Sequence, residues 1–408
     1  MDYRALMNKS AFFFFFFFFF LILPFDAFPQ TRQENANADI IAASAPDSVE
    51  SSIHTLSDYF LEYLASEKEL IRAFYFWTAN KIEYDTEKKF NFSSSDNPAA
   101  IISETLKKRR AVCQGYSEVF HALCDAAGIE NYVVQGYTRQ NGNVVYINHA
   151  WVVAHIDTSW YFFDPTWGSG VVTNGRFIRK FTLEYFMVKP AVFIKSHMPF
   201  DPLWQCLYYS FSPENFAQNN FPAKAMEKYF YYPDSIGVYK QLTTHEKEAA
   251  SLRRIEGNGV GNNSILAYVQ YLKNCLEIGR INKQNEIQNE LVNQFNQAVN
   301  HYNTGAALFN RYIDYWNRQF IPQRPDAEIK QMLDTCDFHL AGSHKILSEI
   351  NPQDETLRKN VEALLSSLQD IQKKVEDHKA FLRNYFATQK NSRASLFRRY
   401  TWMGIPVN

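Results

Sequence analysis

The chain lacks both a charge excess and an N-terminal apolar run long enough to cross a membrane. It carries 42 Lys and Arg against 43 Asp and Glu among its 408 residues. Proteins that bind nucleic acids usually show a clear basic excess, so we expect no nucleic-acid partner. The apolar run from Ala11 to Leu23 stops at Pro24, well short of the roughly 20 residues that a spanning helix needs.

Cysteine is also scarce. The five thiols are widely spaced along the chain, at Cys113, Cys124, Cys206, Cys275 and Cys336. An odd, scattered set of cysteines is not the dense framework of a disulfide-stapled protein, and it leaves at least one thiol over. A leftover thiol is a reason to look for a reactive cysteine.

The N-terminus has the pattern of a secretory signal. Arg4 and Lys9 precede the short apolar run, and the small residue Ala27 follows it. We assign residues 1–30 to a signal peptide, with an uncleaved anchor as the alternative, and residues 31–49 to a flexible leader. The prediction is an exported protein, periplasmic or secreted, with no stable membrane span after cleavage.

Helical periodicity fills the next part of the chain. Apolar residues recur at helical spacing over residues 53–81, and Ser66 with Glu69 makes a capping box that divides this stretch into two helices. A short helix is predicted over residues 99–108. A further helix begins near Cys113, because residues 116–127 place apolar side chains along one face.

The periodicity then changes from 3.6 to 2. The stretches NYVVQGYT, VVYINHAWVVAHI and SWYFFDPTW are rich in β-branched and aromatic residues, and Asn141-Gly142 marks a turn between the first two. Helices followed by antiparallel strands indicate an α+β domain, which we place at residues 50–212. Residues 213–263 are a predicted connecting segment. Residues 264–408 contain long helical patterns with few Gly or Pro, so we predict an all-α C-terminal helical domain there.

Three polar residues stand out by their position. Cys113 opens the apolar-faced helix, where the helix N-terminus favours an anion such as a thiolate. Strand alternation predicts His149 and Asp164 on the same side of adjacent strands. A helix N-terminus packed on that face would bring Cys113 to the imidazole. A nucleophile, a base and a group that orients the base would then be together.

Several phrases resemble the transglutaminase-like superfamily, in its bacterial and archaeal branch. They are AVCQGYSEVFHALCDAAGI, NHAWVVAHIDTSWYFFDPTWG and the upstream FYFWTANKIEYD, with weaker similarity at SHMPFDPLWQCL. The resemblance implies a papain-like core, in which helices pack on an antiparallel sheet. It also places the family's catalytic Cys, His and Asp at Cys113, His149 and Asp164.

Other residues are candidates for lining the substrate groove or supporting the site. They are Trp77, Tyr84, Gln114, Tyr116, Trp151 and Trp167. Trp77 and Tyr84 could supply an oxyanion donor through an indole N–H or a phenol, and core packing is the alternative for Tyr116, Trp151 and Trp167. We interpret Cys124 as a core residue, with a disulfide as the alternative, His155 as a near-surface residue and His197 as structural.

No metal or cofactor is expected. The Cys113, His121 and Cys124 spacing fits no zinc pattern, and a fourth ligand is missing. The predicted function is a thiol enzyme that acts on a protein or peptide substrate through a Cys113 thioester, with hydrolysis favoured over amine cross-linking. The alternative is a non-catalytic scaffold whose C-terminal helices bind a partner protein in the cell envelope.

Overall fold

The computed structural model describes residues 36–88, 97–222 and 229–397, with the backbone of 399–400 and 406–407. The predicted signal peptide lies outside the described residues. The chain divides into two compact units, Met1–Leu276 and Glu277–Asn408.

The first unit carries most of its helices before and after a small sheet. They are residues 36–43 (α1), Ile53–Tyr63 (α2), Glu67–Lys81 (α3), Pro98–Lys108 (α4), Cys113–Ala126 (α5), Pro165–Ser169 (α6), Pro190–Phe193 (α7), Pro213–Ala217 (α8), Tyr232–Gln241 (α9), Thr244–Asn258 (α10) and the start of Asn263–Asn317 (α11). The predicted capping box is present: the backbone N–H of Glu69 donates to the Ser66 hydroxyl, and the backbone N–H of Ser66 donates to the Glu69 carboxylate, both at 3.2 Å. These bonds begin α3 where the sequence indicates.

An antiparallel sheet of four strands follows α5. Its members are Asn131–Gln140 (β3), Asn143–Ile156 (β4), Ser159–Phe163 (β5) and His197–Pro199 (β8), in the order β5-β4-β3-β8. Two small two-stranded pairs flank it, Glu83–Tyr84 (β1) with Arg110–Ala111 (β2), and Gly170–Thr173 (β6) with Arg176–Arg179 (β7). Asn141 and Gly142 both have positive φ, of 50° and 80°, as the tight β3–β4 turn requires.

The two faces of this sheet bury different cores. On one face, Phe120 and Leu123 of α5 pack with Val152 and Phe163. On the other, Trp151, Val153 and Phe162 pack with residues of α7 and the 3₁₀ turn Pro202–Gln205, such as Phe193 and Trp204. The predicted α+β class, with helices packed on an antiparallel sheet, is confirmed.

The leader differs from its prediction. Residues 36–43 are helical, and Ala38 and Ala42, one turn apart, are fully buried in the core of the first unit. Asp39 lies between them and makes a two-bond ion pair with the buried Arg72 of α3, with N–O distances of 2.7 Å. Small side chains and one well-placed carboxylate dock this segment, although its composition is that of a flexible one.

The predicted connecting segment is also structured. It contains α9 and α10, and Ile255 of α10 packs with Ile265 and Val269 of α11 and with Phe200 and Phe216. The first unit therefore extends to Leu276, whereas the sequence divides the chain at residues 212 and 264.

The second unit is helical, as predicted. The part of α11 from Glu277, Asp326–Glu349 (α12) and Glu355–Ala387 (α13) share one core, followed by a 3₁₀ segment at Lys390–Phe397 and a short β9–β10 pair, Arg399–Tyr400 with Pro406–Val407. On α13, the buried side chains include Val361, Leu368 and Val375, which recur every seven residues along one face. Among the residues that the structure describes, none of the helices is both long and apolar enough to cross a membrane.

Candidate active site

Cys113 is the first residue of α5 and is 1% exposed. The residue before it, Val112, is extended and has no side-chain oxygen to cap the helix. The N–H groups of Gly115 and Tyr116 bond to the Val112 carbonyl at 2.9 and 3.4 Å. The first-turn N–H groups of Cys113 and Gln114 therefore have no side-chain cap, and they lie beside the thiol.

His149 lies on β4, opposite Gly136 of β3. The β3–β4 register shifts next to this pair: Thr138 pairs with Val145, so β4 carries extra residues between Val145 and His149. Bulges next to active sites often redirect a side chain out of strict alternation. The His149 ring lies near two indoles, with centroids 6.1 Å from Trp151 and 5.6 Å from Trp167.

Asp164 follows the last residue of β5 and caps α6. One carboxylate oxygen, Oδ1, accepts from the backbone N–H groups of Thr166 and Trp167 at 2.9 and 3.0 Å. The other, Oδ2, lies 2.7 Å from His149 Nε2 and 3.1 Å from His197 Nε2. The side chain is fully buried, so four hydrogen bonds replace the water that an ionised carboxylate would otherwise need.

The charges in this cluster shift the pKa values of its members. Burial alone would lower the pKa of His149, but the Asp164 carboxylate, its hydrogen bond and the nearby Cys113 thiol outweigh burial and raise that pKa to about 10. Burial would raise the pKa of Asp164, but His149 and then His197 hold it well below its usual range. The cluster therefore contains an imidazolium–carboxylate pair at neutral pH.

The thiol and the imidazole are also brought together. A hydrogen bond between the Cys113 side chain and His149 contributes to the raised pKa of His149. Asp164 occupies Nε2 of the ring, so Nδ1 is the nitrogen available to the sulfur. Cys113, His149 and Asp164 thus form one connected set, in the predicted order.

One geometric expectation is wrong. Helix α5 packs on the sheet face that carries Val152 and Phe163. Strict alternation along β4, from which the packing of α5 was predicted, would put His149 on the opposite face, with Trp151 and Val153. Cys113 meets His149 from the N-terminal end of α5 instead, beside the shift in the β3–β4 register.

Two of the supporting candidates lie away from the triad. Trp77 is fully buried, and its indole N–H donates to the buried Glu50 at 2.8 Å, so it is not free to stabilise an oxyanion. Tyr116 is also fully buried, and its hydroxyl donates to the Ile82 carbonyl at 2.7 Å. Both side chains are committed to the core because a buried polar group needs a partner.

The other four candidates lie at the site. Burial, followed by the charges of Cys113 and Asp164, raises the pKa of Tyr84 to about 12, so its half-buried phenol stays protonated beside the thiol. The half-buried Trp167 ring contacts His149, and the fully buried Trp151 packs behind it. Gln114 follows Cys113 directly, and its side-chain amide N–H donates to Glu118 at 2.5 Å.

His197 belongs to the site, although the sequence suggests only a structural role. It is 1% exposed, and β8 places it against β3, opposite Thr138. Its polar flank in SHMPF is the only local signal that could have indicated this, because the contact with Asp164 spans 33 residues. Cys124, in contrast, is a buried core residue as predicted, and all five cysteines are free thiols.

One group among the described residues could in principle hold a metal ion: His149, Asp164 and His197, whose donor atoms lie within 4.8 Å of one another. Direct hydrogen bonds of 2.7 and 3.1 Å already join these three side chains, so their arrangement is explained without an ion. The thiol, imidazole and carboxylate are instead the parts that nucleophilic acyl transfer requires.

Comparison with known proteins supports the resemblance seen in the motifs. Residues 55–165, which include all three triad positions, match the family model of the transglutaminase-like superfamily. Kyphoscoliosis peptidase of Mus musculus is 31% identical over 224 residues, which cover 53% of this chain and 32% of that protein. The Homo sapiens protein of the same name is 28% identical over 197 residues, covering 46% and 29%.

The match covers only part of each of these two relatives. This chain spans only about a third of their length, with 32% and 29% covered. Both are animal proteins, so placement in the bacterial and archaeal branch stays a prediction. A crystal structure from Cytophaga hutchinsonii, of a protein only provisionally named a cysteine protease, shares 21% identity over 33% of this chain and 47% of that chain. Its TM-score of 0.22 is too low to support any inference.

Proposed function

Because residues 55–165 form a transglutaminase-like domain, we propose that the chain is a thiol enzyme that cleaves peptide or amide bonds through a thioester on Cys113. The observation that carries the proposal is the buried His149–Asp164 pair, 2.7 Å apart, joined to the thiol that opens α5. An imidazolium beside a thiol stabilises the thiolate, which is the reactive nucleophile.

The first half-reaction forms the acyl-enzyme. The Cys113 thiolate attacks the carbonyl carbon of the amide, and the C=O electron pair moves to oxygen. When the tetrahedral intermediate collapses, the C–N bond breaks, and His149 gives its Nδ1 proton to the leaving amine. Asp164 stays ionised throughout. Its hydrogen bond to Nε2 holds the imidazole in the orientation that exposes Nδ1 to the sulfur.

Water completes the cycle in the second half-reaction. It gives a proton to the now neutral His149, and its oxygen displaces the sulfur to release a carboxylic acid. The thiolate–imidazolium pair is restored. An amine in place of water would yield a cross-linked amide instead. We favour water, and the name peptidase carried by both relatives supports this choice.

Three groups are suited to hold the oxyanion. The uncapped backbone N–H groups of Cys113 and Gln114 lie at the helix N-terminus, where the helix dipole favours negative charge. The Tyr84 phenol is a third donor, since it lies close enough to the thiol for the Cys113 charge to shift its pKa. These groups act in the transition state, when charge develops on the carbonyl oxygen.

One observation favours the alternative of a non-catalytic binding module. Cys113 is 1% exposed, so its sulfur is covered in this conformation. In that alternative the helices of the second unit would bind a partner protein of the envelope. We also propose that the chain is exported, to the periplasm or outside the cell, on the basis of Arg4, Lys9 and the short apolar run that follows them.

A single experiment separates these possibilities. The chain is incubated with a peptide mixture, with and without a primary amine, and products and intact protein are followed by mass spectrometry. We expect shortened peptides, a trapped thioester on Cys113 and few amine adducts, all absent from Cys113→Ala. Dominant amine adducts would indicate transamidation. No thioester and no products under either condition would refute the enzyme and favour the binding module.

A further inference from the structure

The Asp164 carboxylate accepts hydrogen bonds from two imidazoles instead of one. Its Oδ2 lies 2.7 Å from Nε2 of His149 and 3.1 Å from Nε2 of His197. An ionised carboxylate only accepts hydrogen bonds, so both Nε2 atoms must carry protons. The Cys–His–Asp mechanism above uses the first of these bonds and leaves the second without a role.

The neighbour on the other side of His197 determines its charge. The Ser196 hydroxyl oxygen lies 2.8 Å from Nδ1 of His197 and 3.2 Å from the Phe193 carbonyl. If the hydroxyl donates to Nδ1, the shorter of the two contacts, His197 is neutral and its only ring proton is on Nε2, facing Asp164. Burial supports this state, because it lowers the pKa of His197 to about 4 despite the nearby Asp164.

Aromatic rings fix the His197 imidazole in place. Phe193 stacks on it, with centroids 3.9 Å apart and planes 19° apart, and Trp167 and Trp151 lie at 4.5 and 5.2 Å. The titratable groups that face it are Asp164, His149 at 5.8 Å and Tyr185 at 5.9 Å, the last two between ring centroids. A ring enclosed in this way is 1% exposed and cannot exchange protons readily with solvent.

We propose that His197 is a positioning residue for the triad, which rests on the proposed function of Cys113. Its Nε2–H bond keeps Asp164 ionised with Oδ2 directed at His149, and the Ser196 hydroxyl holds His197 in the tautomer that makes this bond. The site is then a five-residue chain, Ser196–His197–Asp164–His149–Cys113. His197 touches no reacting atom and acts only through the carboxylate.

The test compares two replacements of His197. His197→Phe keeps a ring against Phe193 but removes the donor, whereas His197→Gln retains an amide N–H that can reach Asp164. His155→Phe is the matched control, because His155 lies on β4 against the Trp160 ring, at 5.0 Å, away from the carboxylate. The readout is the rate of Cys113 alkylation by iodoacetamide, from mildly acidic to mildly alkaline pH, with thermal unfolding of each variant.

We expect His197→Phe to slow alkylation at neutral pH on the order of tenfold, the effect of one hydrogen bond to a charged group. A carboxyl group that has lost a hydrogen-bond donor binds a proton more readily. The pH at which the alkylation rate falls on acidification, the acid limb of the profile, should therefore be higher. His197→Gln should restore most of the rate and the position of the limb, and His155→Phe should match the wild type. Ser196→Ala should shift the profile in the same direction by less.

An unchanged profile in folded His197→Phe, with fast labelling of the wild type, would overturn this inference alone. Equal slowing in both His197 variants with an unmoved acid limb would show a purely structural role, and would also overturn it. If His197→Phe does not fold, an unchanged pH profile of alkylation in Ser196→Ala would overturn the inference instead. Slow labelling of wild-type Cys113 would instead refute the proposed function itself.

Discussion

The Asp164 side chain has two roles: it caps α6, and it accepts hydrogen bonds from two imidazoles. Replacing Asp164 by Asn separates these roles. Asn is as good an N-cap as Asp, so its oxygen can keep the two backbone N–H bonds of 2.9 and 3.0 Å that begin α6. Its amide nitrogen, however, would face the protonated Nε2 atoms of His149 and His197, placing donors against donors. His149 could relieve this conflict only by carrying its proton on Nδ1.

That change of tautomer removes the base. A neutral His149 with its proton on Nδ1 presents a donor to the thiol and cannot accept the thiol proton. Burial alone would lower the pKa of His149, but the Asp164 charge and hydrogen bond, with the Cys113 thiol, raise it to about 10 and so stabilise the imidazolium. Without the Asp164 charge, only the nearby Cys113 thiol opposes burial, so the pKa of His149 falls.

We therefore expect Asp164→Asn to lower the rate of acyl-enzyme formation by about ten thousandfold, as the wrong tautomer does in comparable triads. The assay is the burst of nitrophenolate from p-nitrophenyl acetate, with thermal unfolding and circular dichroism to confirm the fold. Asp164→Ala is the control that loses the cap as well, so it should be less stable than Asp164→Asn. A folded Asp164→Asn protein that acylates within about tenfold of the wild-type rate would show that Asp164 does not set the His149 tautomer.

Three further predictions concern stability and the oxyanion. The depressed pKa of Asp164 contributes stability that is fully present above the ordinary pKa of 3.8 and is lost as pH falls below it. The difference in free energy of unfolding between wild type and Asp164→Asn, measured by urea unfolding, should therefore become smaller in acid. Gly168→Ala should lower the free energy of unfolding by about 1–3 kcal/mol, because an added Cβ would overlap the Tyr75 hydroxyl. The control Gly237→Ala meets open space and should be neutral or slightly stabilising. Equal melting temperatures of the two variants would contradict this prediction. Tyr84→Phe should slow turnover of an amide on the order of a hundredfold while leaving iodoacetamide labelling of the thiol unchanged, and equal losses in both assays would exclude an oxyanion role.

Local signals locate the elements that carry the triad residues. The apolar face after Cys113 marks the start of α5, and Asp164 directly follows the apolar strand β5. The capping box at Ser66 and the turn at Asn141 are local signals of the same kind. In each case a few adjacent residues determine the geometry.

The errors arise where long-range contacts decide. His197 reaches Asp164 because β8 adds to the far edge of the sheet, a pairing that no local pattern reveals. Trp77 turns its N–H to Glu50, 27 residues earlier, which removes it from the site. Residues 36–43 have the composition of a flexible leader and become ordered through an ion pair with Arg72 and through buried alanines.

The most direct test of the central claim is the labelling of all five thiols in the native chain by iodoacetamide at neutral pH, followed by peptide mapping. Burial raises the pKa of the other four thiols, those of Cys124, Cys206, Cys275 and Cys336, so they should stay protonated and unreactive. We expect Cys113 to label far faster than the other four thiols, and His149→Ala to abolish this difference in rate. Slow and equal labelling of all five cysteines would contradict it.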